Sequence, residues 1–429
     1  MTSSNNQTAD VHAHQPVGKG AALVGSVIAA LVLVALAHFA YLYDWVKAPD
    51  AWAYDWRTAH FSLQPESTRK DILVVTIDET SLEQYPWNSP VNRSLAAELV
   101  QGLEAAGARA IGLDFLYDKA TEPSDDAALI SALQASRIPV ILGAVDKRSV
   151  LRDRDPGKAL AFQEEFLTKS DKPAGHLYFF SAERKGRFNV GDRVIRRRIG
   201  PSPLSPNRKA FATLLVEKAS GLKNLPAVTE PQLIDWQRAP LRGLEQYPVP
   251  ELRVKSHVPR ASIDTMFGDG WRDLVHGRIV LVGGSFGDRD RHLTPFSVID
   301  RKTMPGVFIH AQVVAQLIDG REVLTVPIWL EALVLGALVL AGWWLARRRW
   351  SPHATSALEY RLDADGIAET ILGGFAVFLG GVSVYATTGY IIPSTTIFLA
   401  FLMGLLLGNP PYWLVWMFKR FGVGGAWGG

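Results

Sequence analysis

Two hydrophobic patterns divide the chain. Long apolar stretches lie near its two ends, and between them short β-branched runs alternate with segments of helical period. The first stretch, residues 21–43 (AALVGSVIAALVLVALAHFAYLY), holds no Asp, Glu, Lys or Arg across 23 positions. A helix rises about 1.5 Å per residue, so this one covers roughly 34 Å, enough for a bilayer core. Ala35-Leu36-Ala37 has the small-residue look of a cleavage site, but the run is long for a signal peptide and follows a 20-residue polar leader, which favours an uncleaved anchor. Three further stretches, 326–346, 367–388 and 390–408, predict three more crossings.

Basic residues set the orientation of those crossings. Arg347, Arg348, Arg349 and Arg361 lie between the second and third, Lys419 and Arg420 follow the fourth, Lys19 precedes the first, and the turn near Gly389 has none. Positive-inside reasoning places the 1–20 tail, the 347–366 loop and the 409–429 tail in the cytoplasm, and residues 44–325 on the periplasmic side of a bacterial inner membrane. Gly25 with Ala29, and Gly404 with Gly408, give small-xxx-small pairs suited to close helix packing, within the chain or between copies.

The segment from 44 to 325 reads as α/β. Residues 72–77, ILVVTI, form an apolar β-branched run of the kind buried on both faces of a parallel sheet. Leu95, Leu99 and Leu103 then recur every four residues, with Asn92 as N-cap and Gly107 as stop. ARAIGLDFLYD gives a second strand, Ser124 to Leu133 a second helix, and IPVILGAVD from Ile138 a third strand. Short links between them imply a parallel sheet with helices on both faces. Periodicity weakens from about 151 to 260, which reads as an accessory layer, and RVIRRR at 193–198 as a solvated strand face. Order returns with RIVLV at 278–282 and a helix over 307–318.

Composition narrows the chemistry. Cysteine is absent, which removes disulfides, thiolate catalysis and Cys-based zinc sites; about 280 outer residues can supply a core of their own. A net charge of +3 gives nucleic-acid binding little support. There is no nucleophile elbow, HExxH or glycine-rich nucleotide fingerprint, and no cofactor is called for. Gly283-Gly284-Ser285-Phe286-Gly287 has the glycines of an anion cradle but lacks a P-loop's Lys-Ser/Thr ending.

Ligands of open α/β sheets enter the crevice beyond the carboxyl ends of the strands. Asp78, Glu79, Asp114 and the 287–292 loop, with Asp290 and His292, fall at such ends. They either gather around a cation or cationic solute, do acid–base work with His292 or His310, or cap helices and pair with Arg93 and Arg109.

The pieces VVTIDETSLEQYPW, GARAIGLDFLYD, SDDAALISAL, GRFNVGDRVIRRR, GRIVLVGGSFGDRDRHLTP and MPGVFIHAQVVAQLIDG, in this order, resemble the type-two CHASE domain, the cyclase and histidine-kinase associated sensory extracellular module of bacteria. They cover most of residues 71–321. The resemblance implies a sensory extracytoplasmic domain with one span before it and three after, and no catalytic residue or agreed ligand. It adds Trp87 and Asp126 to the pattern positions, with Arg196, Pro305 and Gly306. Family members commonly continue into an output domain; here about 20 residues follow the fourth span, too few for one. The candidate ligand-binding set is thus Asp78, Glu79, Trp87, Asp114, Asp126, Asp290, His292 and His310, with no metal ligand assigned.

The expected function is a membrane-anchored sensor that detects a small solute or an envelope protein and signals through its helices to a separate partner. Expected partners are membrane lipids, other membrane or envelope proteins and further copies of the chain. Two other readings stand beside it: a docking subunit of an envelope complex, and an enzyme using Asp78 and Asp114 with a metal such as Mg²⁺ or Ca²⁺.

Overall fold

The structure, a computed structural model, describes residues 44–61, 69–83, 91–145, 156–179, 192–198, 208–221, 225, 232–236, 251–254, 266–287, 290–323, 325–348, 364–388, 390–391 and 394–408. The chain divides into two compact units, one of residues 47–325 with 384–391, the other of 1–46, 326–383 and 392–429.

The first unit is built on six parallel strands: β1 (Ile72–Ile77), β2 (Ala110–Asp114), β3 (Val140–Ala144), β4 (Ala174–His176), β7 (Glu251–Arg253) and β8 (Ile279–Gly284), in the order β4-β3-β2-β8-β1-β7. Every residue of β1, β2, β3 and β8 is buried, the signature of a sheet covered on both sides. Alternate side chains feed two cores. Leu73, Val75, Ile111, Leu113, Val280 and Val282 face α2 (Arg93–Ala105), α3 (Pro123–Ala135), α4 (Pro156–Ser170) and α6 (Trp271–Val275). Ile72, Val74, Ala110, Ile141, Ile279 and Leu281 face α5 (Phe211–Ser220) and α8 (Gly306–Ile318).

Local signals explain the elements. Asn92 Oδ1 accepts from the Leu95 N–H at 3.0 Å and starts α2, and Gly107, at φ +83°, turns the chain after it. On the second face α8 lies hard against β8: a Cβ at Gly283 would come within 2.6 Å of Val307 Cβ. The middle of the chain is more than an accessory layer, because it supplies both edge strands, β4 and β7. The solvated-face reading of 193–198 is also corrected. Arg196 is buried, and its guanidinium reaches Asp55 at 2.6 and 2.8 Å and Asp192 at 2.7 and 2.9 Å; the arginine-rich run hid a side chain that turns inward to acidic partners.

That ion pair ties α1 (Asp44–Phe61) to a ribbon of β5 (Arg197–Arg198) and β6 (Gln232–Leu233). The ribbon region is gripped by α8 from the other side. Gln312 Nε2 donates to the Asp235 carbonyl at 2.7 Å, Gln316 Oε1 accepts from the Asp235 N–H at 3.1 Å, and Gln316 Nε2 donates to the Leu233 carbonyl at 3.2 Å. Arg321 reaches Asp235 at 2.6 Å, and Arg69 bridges Asp71 and Asp319, locking the end of α8 to the start of β1. Ala51, Tyr54, Leu233, Tyr385 and Ile391 form a small core here, with Thr58 and Tyr385 hydroxyls 3.3 Å apart.

The second unit contains α9 (Ile328–Arg348), α10 (Ala364–Thr388) up to Ser383, and α11 (Ser394–Gly408), at the second to fourth apolar stretches. Among the described residues no helix is both long and apolar enough to cross a membrane; the described side chains of α9 run from Trp329 to Leu345. Gly404 faces α9 so closely that a Cβ would strike the Val339 carbonyl. Gly408 closes α11. The first stretch, with Gly25 and Ala29, lies outside the described residues.

The α8–β8 contact leaves no room for a methyl group, so Gly283→Ala is expected to lower the unfolding free energy of the intact chain by about 1–3 kcal/mol in urea titrations. An unchanged midpoint would show that Val307 gives way without cost.

Candidate functional site

The chain leaves β1 and β2 for helices on one face, while β8, between them, leads to α8 on the other. Connections that part in opposite directions open a crevice at the carboxyl ends of these three strands. The sequence-predicted residues that the structure describes fall into three groups, two at these strand ends and one, Asp126, away from them.

Asp114, Asp290, His292 and His310 form the first. Asp114 ends β2 and turns toward α8; its Oδ1 lies 3.9 Å from His310 Nε2, and its Oδ2 is buried without a hydrogen-bond partner. Burial pushes the Asp114 carboxyl well above its usual range, and the nearby Asp290 charge adds to this. Burial also pushes the His310 imidazole down to about 3, helped by His292 and His176. Charge is thus disfavoured on both partners, and the contact is one of neutral groups rather than an ion pair. Asp290, held at φ +50°, accepts the Gly306 N–H on its carbonyl at 3.0 Å, and its Oδ1 lies 3.1 Å from His292 Nε2. Its carboxylate overlies Gly306, where a Cβ would come within 2.8 Å of Oδ2. Phe179 joins the group, its ring 4.4 Å from that of His310 and 5.1 Å from that of His292.

Asp78 and Glu79 hold loops in place. Asp78 Oδ1 accepts from Thr80 Oγ1 at 2.6 Å and from the N–H and Oγ of Ser81 at 3.0 Å, and Arg253 stands 3.6 Å from Oδ2. Burial alone would raise this carboxyl, but the Thr80 and Ser81 hydrogen bonds with Arg253 outweigh it and hold it below the usual range. Glu79 Oε1 accepts from the Gly287 N–H at 2.6 Å, fastening the loop after β8 to the end of β1. Neither Arg93 nor Arg109 pairs with these carboxylates, since the Arg109 side chain donates to the Ala219 carbonyl.

Asp126 sits on the face of α2 and α3, accepting from the N–H and Oγ1 of Thr121 and standing 3.6 Å from Arg93 Nε. Trp87 lies outside the described residues. Sequence reasoning missed Phe179, which falls in the weakly periodic middle, and Tyr117, a fully buried residue three positions after Asp114. Its place just past a buried strand end was the available signal.

Chemically, the first group combines a carboxyl with a vacant oxygen, an imidazole that stays neutral, and an aromatic wall. A buried oxygen without a partner costs about 1–3 kcal/mol, which a hydrogen-bond donor from outside would recover. Among the described residues no group of three or more His, Asp or Glu side chains is arranged to hold a metal ion.

The family model of the CHASE2 domain matches residues 27–345, well over half of the 429-residue chain. The chain belongs to this family of sensory extracellular domains. No curated protein and no solved structure matches it.

The His310 geometry fixes the sign of a pH effect. Unfolded, its imidazole takes a proton near pH 6.5; folded, it resists one down to about 3. Stability from this group is therefore present above 6.5 and lost as pH falls through that window. Relative to His310→Gln, the wild type is expected to lose up to about 1.4 kcal/mol per pH unit between 6.5 and 3. Parallel pH profiles of urea unfolding for the two chains would contradict the buried neutral state.

Proposed function

We propose that this protein is a sensor anchored in a bacterial inner membrane, whose α/β domain stands in the periplasm, binds a small solute in the crevice around Asp114, and passes the result through its flanking helices to a separate partner protein. Family membership over residues 27–345 carries the sensory reading. The geometry of α8 carries the transmission: it starts beside Asp290 and Asp114 and ends where α1 and the 384–391 segment meet the β5–β6 ribbon. A ligand that re-sets His310 at one end therefore acts on a rigid rod whose other end grips the segments adjoining the apolar stretches.

Side chains of the second unit support membrane anchoring. Trp329, Leu333 and Trp344 on α9, and Leu372, Phe375 and Leu379 on α10, are exposed to between 46% and 65%. Large apolar groups left uncovered along two helices suit lipid better than water. Together with the uncharged run at 21–43 and the arginines at 347–349, they favour four crossings with both termini in the cytoplasm.

A reporter active only after export, fused after Gly200, tests the arrangement. Enzymatic activity is expected from the intact fusion; a reporter active only in its cytosolic form would overturn it.

A further inference from the structure

Across the sheet from Asp114, on the face of α2, α3 and α4, lies a second polar cluster that the crevice does not use. Arg93, the first residue of α2, is fully buried. Its guanidinium carbon stands 4.7 Å from the centre of the Tyr117 ring and 5.7 Å from that of Phe166, and those two rings stack at 4.6 Å. The aromatic floor orients the guanidinium but accepts few of its protons. Arg93 Nε and Nη1 and the Tyr117 hydroxyl have no hydrogen-bond partner, and Nη2 reaches the Leu116 carbonyl only at 3.4 Å.

The neighbouring acids do not fill the need. Asp126 Oδ1 stands 3.6 Å from Nε, beyond a good hydrogen bond, and both of its oxygens already accept from Thr121 at 2.8 and 3.0 Å. Burial lowers the guanidinium's hold on its proton, and the opposing effects of Tyr117, of Asp126 by charge and contact, and of Asp118 do not fully offset it. Burial likewise keeps the Tyr117 hydroxyl protonated, as a donor. Two guanidinium nitrogens and one phenol oxygen thus lie buried together without a hydrogen-bond partner, the Asp126 carboxylate standing off at 3.6 Å. Water would satisfy hydrogen bonds there but leave the charge unmatched; a carboxylate does both, and charge-assisted bonds of this kind are the strong ones.

We infer that Arg93 and Tyr117 form a second subsite, separate from the crevice around Asp114, for the carboxylate of a small organic acid. The assignment rests on the sensory reading for its purpose and on the unpartnered donors for its chemistry. Tyr117→Phe is the informative variant, because it keeps the ring stack under Arg93 and removes only a hydroxyl that lacks a partner, so the fold should survive.

The intact chain in detergent, titrated with acetate and succinate, provides the test, with sodium chloride at matched ionic strength and inorganic phosphate as comparison probes. A ligand bound only by the folded state raises the melting temperature with concentration. Carboxylate probes are expected to raise it in the wild type, with Tyr117→Phe needing roughly tenfold more for the same rise, as loss of a hydrogen bond to a charged group requires. No rise beyond that of sodium chloride, an equal rise in Tyr117→Phe, or a rise with phosphate alone would each overturn the subsite. An exported reporter at Gly200 combined with any of those outcomes would refute the subsite while leaving the membrane sensor standing.

Discussion

The structure depends on the pairing of one late strand. β8, from the last fifth of the sheet-forming segment, lies between β1 and β2 and pairs in parallel with both, from Ile279 through Gly284 on one side and Gly283 on the other. Without it β1 and β2 would each face the other across a missing ladder, with buried N–H and C=O groups unpaired, which a sheet covered on both faces does not tolerate. The domain therefore closes only when residues about 200 positions apart come together, a non-local arrangement that costs loop entropy before its core rewards it.

Placing β8 there also creates the site. Because its two neighbours send the chain to α2 and α3 while it sends the chain to α8, the strand ends part around Asp114 and Asp78. The same α8 carries His310 near one end and Gln312 and Gln316 toward the other, so one helix packed without slack on Gly283 spans from crevice to ribbon. Arg196 extends that path: paired with Asp55 and Asp192, it costs too much to leave without its acids and so holds α1 to the ribbon.

Much of this was legible in the residues. Runs such as ILVVTI and RIVLV announce strands buried on both faces, and Asn92 and Gly107 bracket α2 by the chemistry of helix ends. The order of strands was not legible, because nothing in RIVLV says which neighbours it takes. β4 is three residues containing a glycine, and β7 is a half-exposed edge of Glu, Leu and Arg, so neither shows the pattern of a buried strand. At the site, strand-end position pointed to Asp78, Asp114 and the 287–292 loop alike, but it could not separate Asp114, whose oxygen is vacant and which lies beside His310, from Asp78, whose Oδ1 takes three hydrogen bonds. That distinction depends on Thr80 and Ser81, whose hydroxyls turn inward only once the turn after β1 is formed.

The central claim is that the crevice and the edge formed by α1 and the β5–β6 ribbon are the two ends of one mechanical body. Amide hydrogen exchange of the intact chain, compared between wild type and Asp114→Asn, measures this directly. The account predicts altered protection along 306–318 that extends into 44–61 and the β5–β6 ribbon. A change confined to the loops beside Asp114, with 44–61 exchanging as in the wild type, would contradict it.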